Sequence, residues 1–221
     1  MSTITVEDVK RNQLVSGLIE AANEYLGAIG YTEHGFRHAS LVSNVAQNIL
    51  EHLMYREPLP KLAAIAGYMH DIGNVINRND HGRASAMIAI RVMEELKCDP
   101  MEIAYVISAI GNHEEQTGEP INPVAAAMIL ADKSDVHQSR VRNPRMVEFD
   151  IHDRVNYAAE RSFLKVEQVH KSISLELNIN TQISQVMEYF EIFLDRMIMC
   201  RRAAQFLHCN FELIINDKKV V

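Results

Sequence analysis

No long apolar run occurs anywhere in this 221-residue chain. Nothing approaches the roughly 20 consecutive apolar residues that a bilayer-spanning helix needs. The opening residues, MSTITVEDVKRNQ, lack the charged-then-apolar order of a secretory signal. A cytoplasmic chain that does not engage a membrane is expected. Cysteine is scarce as well: Cys98, Cys200 and Cys209 are widely spaced and form no CxxC, which argues against a disulfide framework or a cysteine zinc knuckle. Positive charge is also short. A net charge of −7 disfavours duplex nucleic acid, whose binders usually show a basic stripe, so an anionic ligand would need a local positive site. There is no GxxxxGK, HExxH or GxSxG, and ATPase, zinc peptidase and serine hydrolase readings therefore have no anchor. Internal repeats and low-complexity tracts are absent too.

What is present is enough apolar material, 48 % of residues, for one good-sized core or a core domain with a small appendage. Periods of three and four dominate residues 1–148, which predicts a helical domain. The segment Thr32 to Met54 carries Val42, Val45, Ala46, Ile49 and Leu53 on one face. From Pro60 to Ile72 the face is Leu62, Ile65, Ala66, Met69 and Ile72. Asp80 is placed to cap a third helix bearing Ile88, Val92 and Leu96. Asp99, Pro100 and Glu102 read as an N-cap, a first-turn proline and the acidic member of a capping box, and Asn122 with Pro123 repeats the start signal.

The pattern changes in residues 149–221. In KSISLELNI, Ile173, Leu175, Leu177 and Ile179 alternate with polar partners, and SFLKVEQV before it alternates more loosely, so a hairpin turning near His170 and Lys171 is expected. A helix from about Thr181 to Leu207 should follow, with Ile183, Val186, Met187, Phe190, Leu194, Met197 and Ile198 inward. NFELIINDKKVV would add a third strand. The expected fold is mainly α, a helical bundle with a small C-terminal α+β (ββαβ) appendage.

Polar residues interrupt the apolar helix faces in a particular order. His38 stands near the start of its helix, His70 and Asp71 at an end, His81 at a start, His113 at an end, and Asp132 late in the fifth helix. One histidine on such a face is ordinarily a core residue with a hydrogen bond. If successive helices run antiparallel, however, the first four polar groups meet at one end of the bundle. Burying two carboxylates with four imidazoles is costly without a cation. A metal resolves the conflict, and because the set exceeds what one tetrahedral zinc takes and Asp71 can bridge, two ions about 3.5 to 4 Å apart are expected.

The ordered set His38, His70-Asp71, His81, His113 and Asp132, with HDIG and LADKSD in place, resembles the HD superfamily of metal-dependent phosphohydrolases over about residues 20–140. The resemblance implies a helical domain in which the first His, the HD pair and the last Asp bind a metal, and in which His81 and His113 are associated with a second ion. Its members hydrolyse phosphate esters and anhydrides, mainly of nucleotides. The chain departs from the family at Asn74, where many members have lysine, and no Tyr precedes Pro120, so cyclic-dinucleotide specificity does not carry over.

The expected mechanism is attack on phosphorus by a metal-activated hydroxide, with Asp71 bridging the ions and orienting the nucleophile. Imidazole and carboxylate donors suit Fe, Mn, Co, Ni or Zn without choosing among them. Arg37, Arg78, Arg83 and Lys133 are candidate phosphate contacts, with Arg83 and Lys133 preferred for catalysis and Arg37 added for substrate binding. A basic loop with Arg140, Arg142 and Arg145 is placed to overhang the site, and His34, one turn before His38, is placed to add to it or to orient it from behind. The alternative is a sensor that binds a phosphorylated ligand without turnover and signals through the C-terminal segment. A homodimer through that segment is a further expectation, from its apolar helix and strand edges.

Overall fold

The computed structural model describes residues 4–221. Residues 1–3, with which the expected helical region begins, lie outside the described residues. The chain order is α1 (Val6–Lys10), α2 (Gln13–Ala28), α3 (Phe36–His52), α4 (Leu59–Met69), α5 (His81–Glu95), α6 (Pro100–Gly111), α7 (Pro123–Lys133) and α8 (Ile151–Ala158). There follow β1 (Ala159–Glu167), β2 (Ser172–Ile179), α9 (Val186–Phe206), β3 (Asn210–Ile215) and the short β4 (Lys218–Lys219). Among the described residues, no helix is long and apolar enough to cross a membrane.

Local chemistry sets most of these boundaries. Asp99 accepts the Met101 N–H at 2.8 Å and Glu102 reaches back to the Asp99 N–H, so α6 opens with the expected capping box. The Asn122 side chain accepts the Ala125 N–H at 2.8 Å and starts α7. Asp80 precedes α5 as expected, but its side chain caps nothing; it adopts φ +57°, a left-handed conformation that Asp tolerates better than most residues. That kink turns the chain sharply between His70-Asp71 and His81.

The centre of the bundle is α7, whose residues from Val124 to Lys133 are all buried. Helices α3, α4, α6 and α9 pack around it. A helix apolar nearly all round has nowhere stable to sit except inside such a layer. Close approach of α3 and α4 depends on Gly67: a Cβ there would lie 2.9 Å from the Ser43 backbone nitrogen.

The C-terminal region has the expected hairpin, with β1 antiparallel to β2. Ile173, Leu175, Leu177 and Ile179 are all buried, as their alternation predicts. The strand after α9 joins β2 in parallel, so α9 is a crossover helix, and the sheet order is β1-β2-β3-β4. The inward face of α9 differs from the expected one. Met187 and Leu194 are exposed, whereas Tyr189, Phe193, Cys200 and Ala203 are buried. The sequence MEYFEIFLDRMIMC is apolar on more than one side, so spacing alone could not set the rotation. One cluster of buried side chains runs without a break from Val42 and Met128 to Leu175 and Tyr189.

Candidate metal centre

The helix ends deliver the polar groups to one place. His38 sits in the first turn of α3, His70 directly after α4, His81 at the first position of α5, His113 just after α6, and Asp132 near the end of α7. All of these side chains, with Asp71, are buried. Gly73 makes the HDIG corner possible, because a methyl group at that position would overlap the backbone of His81 and Ser85. Its N–H donates to Ser85 Oγ at 2.8 Å and locks the corner onto α5.

The donors fall into two main groups that share Asp71, and a third set, His70, His113 and Asp132, lies across them. In the first, His38 Nε2 is 3.2 Å from His70 Nε2, 3.6 Å from Asp71 Oδ2 and 3.4 Å from Asp132 Oδ1. His70 Nε2 is 3.4 Å from Asp71 Oδ2 and 3.6 Å from Asp132 Oδ1. In the second, His81 Nε2 is 2.9 Å from His113 Nε2 and 3.1 Å from Asp71 Oδ1, and His113 Nε2 is 3.9 Å from that oxygen. Ligands held at about 2.0–2.2 Å around a tetrahedral ion lie roughly 3.3–3.6 Å apart. The first group stays close to that edge length, from 3.2 to 3.6 Å, and the second is less regular, from 2.9 to 3.9 Å.

Ring orientation points the same way. His70 Nδ1 faces Gly67 O at 2.8 Å, His81 Nδ1 faces Arg78 O at 2.9 Å, and His113 Nδ1 faces Ile110 O at 2.6 Å. A carbonyl oxygen only accepts, so each Nδ1 carries the hydrogen and each Nε2 of a neutral ring presents a lone pair to the others. His38 Nδ1 donates likewise to Asp135 Oδ2 at 2.6 Å. Converging lone pairs repel unless a cation lies among them, so these residues fit a metal.

Charge supports this fit. Burial opposes a charged His70, but Asp71 and Asp132 outweigh it and raise its pKa to about 10. The space between the carboxylates therefore draws positive charge. Burial and the neighbouring His81 lower His113 to about 3, which keeps its ring neutral. Burial alone would raise the pKa of Asp71, yet the adjacent His70 and His81 hold it well below the usual carboxylate range.

The cations expected to meet phosphate have different fates. Arg83 is not brought to the cluster: its side chain is 69 % exposed and pairs with Asp80 at 3.4 Å. Two residues along a helix is a rotation of about 200°, so closeness to His81 in sequence puts Arg83 on the opposite face. Lys133 is buried beside the cluster, with Nζ 2.7 Å from Asp132 Oδ2 and 3.0 Å from Glu115 Oε1. Arg37 grips both oxygens of Asp135, at 3.2 and 2.7 Å, and so acts on His38 through that carboxylate. Arg140 is buried and donates to the carbonyls of Glu33 and Asp135. It braces the chain rather than overhanging the centre. His34 is buried, its ring edge-on to His38 at 5.5 Å.

Several participants had weak sequence signals or none. Asp135 closes the LADKSD stretch one helical turn after Asp132, a spacing that could have suggested it. Glu114 accepts the Gly82 N–H at 2.7 Å and lies 3.2 Å from His81 Nδ1. Arg196 comes from α9 and meets Glu115 at 3.1 Å; nothing in its local sequence announces it. A cavity of about 470 Å³ borders the centre, lined by Tyr31, His34, Arg78, Glu115, Arg140 and Arg196 among others. A larger one of about 590 Å³ lies between α3 and β1, with Arg37 and Asp135 in its wall, and neither cavity is lined by the six donors themselves.

Residues 35–136, which include every one of these donors, match the family model of the HD domain. The chain is also similar to the uncharacterized protein MJ1020 of Methanocaldococcus jannaschii, 28 % identical over 209 residues, covering 82 % of this chain and 79 % of that protein. A crystal structure described as a predicted HD superfamily hydrolase, from an uncultured Thermotogales bacterium, aligns at 20 % identity with a TM-score of 0.46, covering 61 % of this chain and 75 % of that one.

Proposed function

We propose that this protein is a metal-dependent phosphohydrolase that cleaves a phosphate ester or anhydride of a small phosphorylated molecule such as a nucleotide. The observation that carries the reading is the inward convergence of the Nε2 atoms of His38, His70, His81 and His113 on the Asp71 and Asp132 carboxylates. Asp71 turns Oδ2 to one pair of histidines and Oδ1 to the other, which supports a bridging role between two ions. Bound divalent ions would supply an activated water and polarise a phosphoryl oxygen.

The chain's own groups do the rest. Asp71 orients the nucleophile from between the two donor groups. Asp135, clamped by Arg37, fixes the His38 ring and keeps Nε2 bare. Lys133 balances the charge of Asp132 and is occupied by it and by Glu115. Residues 1–148 carry the chemistry in this reading, and residues 149–221 supply part of the cavity wall through α8 and α9. The test is to load the purified protein with Mn or Fe, count bound metal, and measure phosphate release over a panel of nucleotides and simple phosphate esters. Turnover that depends on added metal is expected. Tight nucleotide binding without any turnover at full metal occupancy would contradict the reading and favour the sensor.

A further inference from the structure

The cations around the centre are not equivalent. Lys133, Arg37, Arg140 and Arg196 each pair with a buried or half-buried carboxylate. Arg83 pairs with Asp80 at the surface. Among the described residues, Arg78 makes no ion pair, and it is the guanidinium nearest the second donor group. Its Nη1 lies 3.4 Å from His81 Nε2 and donates to Asn74 Oδ1 at 3.2 Å. Asn74 is buried and fixed from the other side, since its Nδ2 donates to Asp71 Oδ1 at 2.9 Å and to the Asp71 carbonyl at 3.0 Å. The Arg78 guanidinium also lies over the Tyr31 ring, 5.4 Å from its centroid.

We infer that Arg78 is the group that binds the phosphoryl oxygens of the substrate, held in place by Asn74 and Tyr31. The inference rests on the phosphohydrolase reading above and adds the contact that reading lacks. Only Nη1 hydrogen-bonds to protein among the described residues. The Nε and Nη2 edge is left for a two-pronged contact to a phosphate, the geometry in which Arg outperforms Lys. Arg78 lines the cavity beside the cluster, so a phosphoryl group held there would sit between the guanidinium and the Asp71–His81 side of the centre. The already paired cations would have to give up a carboxylate to do the same, which costs several kcal/mol when that carboxylate is buried.

Arg78 is half-buried in a turn, so its variants should fold. The experiment compares wild type with Arg78→Gln, Arg78→Lys and Asn74→Ala, reading metal content, inorganic phosphate affinity by calorimetry on the metal-loaded protein, and kcat and KM for 4-nitrophenyl phosphate. Arg78→Gln should keep its metal, bind phosphate about 10-fold more weakly and lose roughly 100-fold in kcat/KM. Arg78→Lys should recover part of this loss. Asn74→Ala should show a smaller effect, mainly on KM, as a positioning residue would. Arg78→Gln with wild-type phosphate affinity would overturn the inference whether or not the wild type turns over. Wild type that binds metal and phosphate but hydrolyses no substrate would sink the phosphohydrolase reading instead, leaving Arg78 to be judged on phosphate affinity alone.

Discussion

The two halves of the His/Asp donor cluster are built from the same residue types but not to the same standard. His38 and His70 lie 3.2 Å from each other and face two carboxylates at 3.4–3.6 Å. His81 and His113 lie 2.9 Å from each other and 3.1 and 3.9 Å from Asp71, and Asp132 reaches only the His113 side, within 4.8 Å. Behind the first half stands Asp135, which accepts from His38 and is clamped by Arg37 and Arg140. Its acidity follows: burial opposes ionisation, but those cations and His38 hold it far below the usual carboxylate range. Behind the second half, His113 leans on a single backbone carbonyl, and His81 on the Arg78 carbonyl with Glu114 3.2 Å from its Nδ1, a carboxylate that no Arg or Lys clamps among the described residues. Donor number, donor charge and support from behind all favour the first half, so it should bind its ion more tightly.

The largest effect is expected where the halves join. Asp71→Ala should empty both and lower activity by roughly 1000-fold or more, since several kcal/mol of charge stabilisation depend on the metals; elemental analysis and turnover check this together. Unchanged metal content would make the carboxylate structural. Next come the single-half variants. His113→Ala should retain one ion per chain, whereas Asp132→Ala should weaken the tighter site, and equal loss of metal in both would erase the distinction between them. Asp135→Asn should follow, weakening the first ion by about 10- to 100-fold in a competition titration while sparing the second.

The smallest effect concerns the flank that joins α9 to the centre. Burial would raise the pKa of Glu115, but Lys133 and Arg196 outweigh it and lower it to about 2, against 4.5 for an ordinary glutamate. A carboxylate depressed on folding contributes stability above its unfolded pKa and loses it as pH falls through the folded value. Stability should therefore drop between pH 5 and pH 2 more steeply in wild type than in Glu115→Gln, by an amount on the order of 2 kcal/mol, read as a larger loss of melting temperature. Parallel melting curves would mean the Glu115–Arg196 link adds nothing.

Much of this was legible in residue order. Caps at Asp99 and Asn122 mark helix starts through hydrogen bonds made within three residues, and the alternation in β2 follows from one buried face. The helix-end positions of His38, His70, His81, His113 and Asp132 needed only short connections to converge. Features that depend on rotation or on distant partners were not legible. Arg83 is near His81 in sequence but on the opposite face, and α9 has apolar residues on several sides, so its buried face is set by what α7 and the sheet present. The pairing of Lys133 with Glu115, and of Glu115 with Arg196, joins segments far apart in the chain. The substitution at Asn74 looked like a missing charge, whereas its side chain ties Asp71 to Arg78.

The proposed centre holds two ions in unequal halves. It is tested most directly by titrating metal-free protein with Mn or Zn and counting bound ions by calorimetry and elemental analysis. Two ions per chain, bound in two resolved steps with the weaker step abolished by His113→Ala, is the result expected. Failure to bind any ion, or a single step that His113→Ala leaves untouched, would contradict it.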